Sequence, residues 1–435
     1  MTETESVFTV IAIILSFAAA ASYLNHRYLH FPQTIALMAL SLILSLCVVM
    51  LGTSNIIDQE SVREFVDSLH FDEVLLHGLL AYLLFAGALT INLEALRGVL
   101  IQTATLATFS VVASGAIAGT LFWCVATLLG FEVALIHGLL FGALIAPTDP
   151  VAVLGILKKA GAPKALETTM AGESLFNDGI GVVVFLTISS LAFAGEEAVL
   201  SEVGGFLLLE AGGGALLGLA LGWITYLLMR PIDDYSLEVL LSLAMVSGGY
   251  ALANALHMSG PIVVVVAGII IGNQARSMAM SDTTRRYLDN FWELLDDILN
   301  AVLFALVGLE VVAVHLDWHY AMSGLLAIPI VLVARLISIA IPGATFHAIG
   351  LIPFRYKVLP ALTWGGLRGG ISIALALSLP QSPERDLLVT AAYIVVTFSV
   401  LVQGLTFGGL IKRLFPTIAE PPTSPDVENT QTRAI

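Results

Sequence analysis

The chain has 435 residues, of which 58% are hydrophobic and 12% charged, about half the charged share of an average soluble domain. Mean hydropathy is +0.94, and apolar runs of roughly 20 residues, each enough to span a bilayer core, recur from end to end. A closed β-barrel would need alternating polarity, which is absent, and a net charge of −15 without a basic stripe speaks against nucleic acid as a partner.

An all-α polytopic membrane protein is therefore expected. In chain order the apolar runs predict thirteen spans, at about 7–25, 32–52, 74–95, 99–128, 133–157, 165–193, 203–229, 236–256, 259–274, 291–314, 320–348, 356–379 and 387–411. The first reads as a true span rather than a secretory signal. Glu3 and Glu5 stand where basic residues would lead a signal, and the apolar stretch is too long. Cys47 and Cys124 fall in spans two and four without a CxxC or histidine companion, so core thiols are expected rather than a disulfide or metal pair. His315 and His319 are four apart but flank a polar loop, which predicts a solvated interface role.

Positive charge sets the orientation. With the N-terminus outside, fourteen of the 18 Lys and Arg residues fall on the cytoplasmic side, Lys158, Lys159 and Lys164 among them. Arg63 and Arg385 fall outside, and Arg335 and Arg368 lie within spans. The outer loops instead collect acids, including Asp58, Glu60, Glu64, Asp67, Glu196 and Glu197. Thirteen spans, N-out and C-in, is the expected topology. Residues 1–415 read as one integrated transmembrane domain. Residues 416–435, with four prolines, read as a short disordered cytoplasmic tail, with no large soluble domain appended. The short tail and the lack of a targeting segment favour a bacterial inner membrane.

Span five runs into Pro147-Thr148-Asp149-Pro150 at mid-membrane. Each proline disfavours helical geometry in the residue before it and removes a backbone donor, so a break is expected around Thr148 and Asp149. Broken backbone at that depth is tolerated only where protein buries it or it lines a wet cavity, and it exposes half-helix ends that can hold ions. A carboxylate in a membrane span marks a functional site by default.

Span six carries Glu173-Ser174-Leu175-Phe176-Asn177-Asp178-Gly179. Ser174 and Asp178 are four apart and share one helix face, and Glu173 and Asn177 share the adjacent one. Carboxylate, hydroxyl, amide and backbone carbonyl oxygens suit a dehydrated alkali cation, a hard ion. A carboxylate removed from water also binds a proton more readily. One group that must be neutralised by a cation or a proton, but not both, is the minimal machine for exchange. Buried Arg335 needs a fixed anionic partner, for which Glu173 is the best candidate. Arg368 sits in Gly365-Gly366-Leu367-Arg368-Gly369-Gly370, whose glycines weaken helix continuity in span twelve and permit close backbone approach. Spans five and twelve are seven apart and so run oppositely. Two interrupted segments in corresponding positions point to an inverted repeat with the site between its halves.

Taken in order, the PTDPVAV string, the ESLFNDG string, the span-ten run from Leu299 to Glu310 and WGGLRGG resemble the monovalent cation/proton antiporters of the CPA1 branch. They are most similar to the prokaryotic NhaP-type Na+/H+ exchangers, relatives of the animal NHE exchangers. The resemblance covers roughly residues 7 to 411. It implies an antiporter fold with discontinuous spans five and twelve, a homodimer, and an elevator-like movement of a six-helix transport unit against a dimerisation unit. It also implies that Asp178 is the central cation- and proton-binding carboxylate, and that Asp149, Thr148 and Ser174 complete an Na+ site. Asn177 matches the Asn-Asp pair of the electroneutral branch. Glu173 and Arg335 would form a structural ion pair, and Arg368 would support the break in span twelve. The implied substrates are Na+ or Li+ and H+, with no cofactor, and the surroundings are membrane lipid. Some relatives carry an acid late in span three near the ion. Here Asn92 or Glu94 would have to serve, or neither does, and Glu310 is left without an assigned role.

Three rivals are weighed. An intramembrane aspartyl enzyme lacks both a GxGD context and an HExxH motif, so no enzymatic activity is expected. A channel fits poorly with titratable carboxylates at a broken helix. K+/H+ exchange on the same scaffold is the closer alternative, because selectivity depends on cavity geometry.

Overall fold

Prolines, caps and glycine contacts, rather than hydropathy, decide where these helices stop and how closely they pack. The computed structural model describes residues 3–54, 58, 62, 66, 71–149, 151–193, 200–275, 280–312, 317–350 and 357–416. Pro150, His315, Arg63, most of the acidic outer-loop residues and the expected tail from 417 onward lie outside the described residues.

Among the described residues the elements are all helices. They are α1 (Glu3–Leu24), α2 (Gln33–Thr53), α3 (Phe71–Leu89), α4 (Leu93–Arg97), α5 (Leu100–Leu128), α6 (Leu135–Leu144), α7 (Val151–Ala160) and α8 (Lys164–Phe193). After them come α9 (Leu200–Met229), α10 (Tyr235–Ala255), α11 (Gly260–Ala275), α12 (Asp282–Leu309), α13 (Trp318–Ala348), α14 (Val358–Trp364), α15 (Gly370–Leu377) and α16 (Pro383–Leu414). Among the described residues eight helices are long and apolar enough to cross a membrane: α2, α3, α5, α8, the Leu209–Met229 part of α9, α10, α13 and α16. Shorter apolar helices are α6 and α11. This is a multi-pass membrane protein.

Local sequence explains the starts. Asp234 caps α10 by accepting from the backbone of Ser236 and Leu237, and Ser259 caps α11 with Pro261 in its first turn. Ser281, Asp317 and Ser382 cap α12, α13 and α16 in the same way, each oxygen taking up an N–H that the first helical turn leaves without a partner.

The helices pack in two groups. In one, α2 lies against α12, and α11 is flanked by α3, α9 and α10. In the other, α5 packs on α6 and α13, α6 on α8, and α13 and α15 on α16. The α5–α6 contact is backbone to backbone, because a Cβ on Gly142 would overlap the carbonyl of Gly115 and one on Gly119 would meet that of Gly138. With no water to squeeze out, such close approach is how helices gain attraction in lipid. Asn273 ties the first group together, donating to the carbonyl of Ile91 at 2.9 Å and accepting from the N–H of Leu93 at 2.9 Å.

One sequence expectation needs correcting. Cys47 and Cys124 are free thiols, but both are exposed rather than in the core. Periodicity around a uniformly apolar helix does not say which face turns inward, and both cysteines stand on outer faces, where an apolar thiol costs little in a lipid environment.

Candidate ion site at two crossed helix breaks

The first break separates α6, which ends at Leu144, from α7, which begins at Val151. The second separates α14, ending at Trp364, from α15, beginning at Gly370. Each break supplies the hydrogen-bond partners that the other lacks. The N–H of Asp149 donates to the carbonyl of Leu367 at 2.7 Å. The Arg368 guanidinium donates to the carbonyl of Ala146 and, at 3.1 Å, to that of Pro147. Unpaired backbone groups cost several kcal/mol in hydrocarbon, so the two irregular segments stabilise one another. The side chain of Arg368, read from the sequence as support for the break in span twelve, reaches across to the break in span five.

A π-turn at Ser399–Gln403 in α16 secures the second break from behind. The Ser399 hydroxyl accepts from the N–H of Arg368 at 2.8 Å, and the Gln403 amide donates to the carbonyl of Trp364 at 2.9 Å. Sequence reading missed both residues. The available signal is a serine and a glutamine four apart in a mostly apolar last span.

Glycine at 369 is a spatial requirement. A Cβ there would stand 2.5 Å from Oδ2 of Asp149, so the amino end of α15 lies directly against that carboxylate. Across the break, Thr148 is held from three directions. Its N–H donates to Asn177 Oδ1 at 3.3 Å, its hydroxyl accepts from Asn177 Nδ2 at 2.6 Å, and the same hydroxyl lies 3.1 Å from that of Ser174. All three residues are buried.

A cavity of about 580 Å³ opens beside these breaks. Thr148, Asp149 and Asp178 line it, together with Asn300 of α12 and Ser372 of α15. Asp178 is 4% exposed and its Oδ1 has no hydrogen-bond partner. Ser174 and Asn177 do not line the cavity. They stand behind Thr148 and orient it, a division of labour that helix spacing alone does not reveal. On the neighbouring face of α8, Glu173 pairs with Arg335 of α13, both side chains 2% exposed.

Other candidates lie apart from the site. Asn92 caps α4, accepting from the N–H of Ala95 at 3.0 Å, and both it and Glu94 are exposed and outside the cavity wall. Thr90 lines the cavity instead. Glu310 is buried in the short turn that ends α12, also away from the cavity. The cavity wall also carries Asp289, Glu293, Asp296 and Asp297 of α12 and Lys158 of α7. Two carboxylates and a fixed hydroxyl in a mostly apolar cavity can bind a hard cation that has shed part of its water.

Comparison with known proteins bears on this geometry. The family described as "Sodium/hydrogen exchanger, transmembrane" matches residues 12–413. The chain is 45% identical over 414 residues to the Na(+)/H(+) antiporter NhaP of Pseudomonas aeruginosa, an alignment covering 93% of this chain and 96% of that protein. It is 40% identical over 285 residues to the Na(+)/H(+) antiporter NhaH of Halobacillus aidingensis, covering 63% and 68% of the two chains. The fold is that of the sodium proton antiporter MjNhaP1 from Methanocaldococcus jannaschii, with a TM-score of 0.75 at 21% identity over 95% of this chain and 99% of the other. The chain belongs to the transmembrane sodium/hydrogen exchanger family.

Proposed function

We propose that the protein is a secondary active antiporter that exchanges Na+ or Li+ for H+ across the membrane, with cation and proton competing for Asp178. The observation that carries this reading is the crossing of the two helix breaks, which sets Asp149 and Asp178 on the wall of one cavity. Thr148, oriented by Asn177 and Ser174, offers a further oxygen. When a cation enters, its charge replaces the proton on Asp178. When it leaves, the proton returns, so the carboxylate is neutralised in either loaded state and the empty charged form does not cross. One proton exchanged for one monovalent cation leaves the net charge unchanged. Transport in proteoliposomes then ignores an imposed membrane voltage, and a voltage-dependent rate refutes that stoichiometry.

Several features complete the reading. Thirteen crossings with the N-terminus outside put Lys158 and the acidic stretch of α12 on the cytoplasmic side, so the cavity is open inward. The group formed by α5–α8 and α13–α16 acts as the transport unit of an inverted-repeat core. It moves against the remaining helices, which hold a homodimer together, in a bacterial inner membrane.

The test is a cation series (Na+, Li+, K+) across pH in everted vesicles. Wild type dissipates a preformed pH gradient on addition of Na+ or Li+, and Asp178→Asn does not while still reaching the membrane folded. Exchange retained in Asp178→Asn overturns the reading, and a response to K+ at Na+ concentrations reassigns the substrate.

A further inference from the structure

A serine inside a helix ordinarily satisfies its hydroxyl by donating to the carbonyl three or four residues before it. This chain does so repeatedly: Ser41 donates to Leu37, Ser338 to Arg335 and Ser323 to Tyr320, at 2.7, 2.9 and 2.6 Å. Ser372 is the exception on the cavity wall. It is 1% exposed and its hydroxyl has no hydrogen-bond partner.

The reason lies in the break. Residues three and four before Ser372 are Gly369, the extended N-cap residue of α15, and Arg368, which lies in the break itself. The Gly369 carbonyl is the one that the first intrahelical bond takes up, and the Ser372 hydroxyl bonds to neither it nor that of Arg368, so the hydroxyl is left to the cavity that Ser372 lines with Asp149 and Asp178. Its position is fixed. Gly370 packs so tightly against Leu303 of α12 that a Cβ would stand 2.6 Å from Leu303 Cδ1, while Gly369 lies against Asp149. A buried hydroxyl without a partner is costly, and an alkali cation or its retained water is the kind of group that relieves it.

We propose that Ser372 is a further oxygen ligand of the transported Na+ or Li+ ion, bound directly or through the ion's water, so that both broken helices contribute to the site. The hydroxyl of the first break, Thr148, is already fastened by Ser174 and Asn177. Ser372, on a fixed backbone, is the hydroxyl left without a partner and so available to the ion, and it tunes preference between Na+ and the smaller Li+. This inference rests on the antiport reading.

The experiment uses full-length protein in proteoliposomes, with apparent KM and Vmax measured for Na+ and for Li+ in wild type, Ser372→Ala and Ser372→Thr. Cation-dependent thermal stabilisation of the purified proteins, with choline as control, reads binding without transport. Ser372→Ala raises the KM for Na+ roughly tenfold, the scale of one good ligand contact, shifts the Na+ to Li+ ratio and keeps Vmax. Ser372→Thr, which retains the oxygen, keeps the wild-type KM. An unchanged KM and an unchanged stabilisation curve in Ser372→Ala overturn the proposal. So does a fall in Vmax alone, which is what loss of packing produces. Should Ser372→Ala fail to assemble, Ser372→Cys substitutes a soft sulfur of similar size: a raised KM supports the proposal and an unchanged one overturns it. Asp178→Asn separates the two readings. If it still exchanges, the antiport site falls; if it is inert while Ser372→Ala is wild type, only the assignment of Ser372 falls.

Discussion

The backbone N–H of Asp149 donates to the carbonyl of Leu367 across 2.7 Å, linking the middle of one broken helix to the middle of another more than 200 residues away in sequence. This bond sets the distance between the halves of the site. The glycine beside Leu367 and Arg368 tests it. In Gly369→Ala the new methyl must displace Asp149, since backbone on both sides is pinned. Overpacking of this kind costs about 1–3 kcal/mol. The variant is expected to lose most Na+-driven proton movement in everted vesicles and to melt earlier in detergent. Wild-type activity would show that the two breaks are not rigidly held.

The ion pair of Glu173 and Arg335 invites a double-mutant cycle. Removing one member of a buried pair strands a charge and costs about 3–5 kcal/mol, whereas replacing both by apolar groups of similar size is close to neutral. Glu173→Met and Arg335→Leu alone are each expected to lower the thermal unfolding midpoint strongly. The double variant Glu173→Met/Arg335→Leu is expected to recover most of the loss. If the double variant is no more stable than the worse single one, the pair does more than balance charge.

Asn177 offers a way to separate positioning from ligation. Its amide spends both ends on Thr148 and does not reach the cavity. Asn177→Ala leaves the Thr148 N–H unpaired, at about 1–3 kcal/mol. The expected phenotype is lower thermal stability together with a raised KM for Na+, because Thr148 loses its orientation. A raised KM at unaltered stability would instead mark Asn177 as a direct ligand.

The acidic mouth of the cavity acts at longer range. Glu293 is exposed at the entrance, about two turns before Asn300 on α12. Charges lining a low-dielectric cleft concentrate counter-ions, and salt screens the effect over about 10 Å at 0.1 M. In Glu293→Gln the apparent KM for Na+ is expected to rise at low ionic strength. The difference from wild type should vanish as choline chloride is added. A defect that persists at high salt would place Glu293 in contact with the ion.

Much of this molecule was legible in the chain itself. Hydropathy dictated a multi-pass helical protein, because apolar runs of bilayer length have no other stable home. Pro147 marked the first break and the glycines around Arg368 the second, since these residues cannot continue a helix cheaply. Buried charge marked Asp149, Asp178, Glu173, Arg335 and Arg368, because each needs a partner or a purpose. What the chain could not reveal is which of those groups meet. That Arg368 serves the other broken helix, that Ser399 and Gln403 brace the second break, and that Asn177 faces Thr148 rather than the cavity depend on contacts between residues far apart in sequence. The outward placement of Cys47 and Cys124 is hidden from the sequence for the same reason: a helix apolar all round carries no periodic mark of its buried side. Local chemistry chose the residues, and packing between distant helices chose their roles.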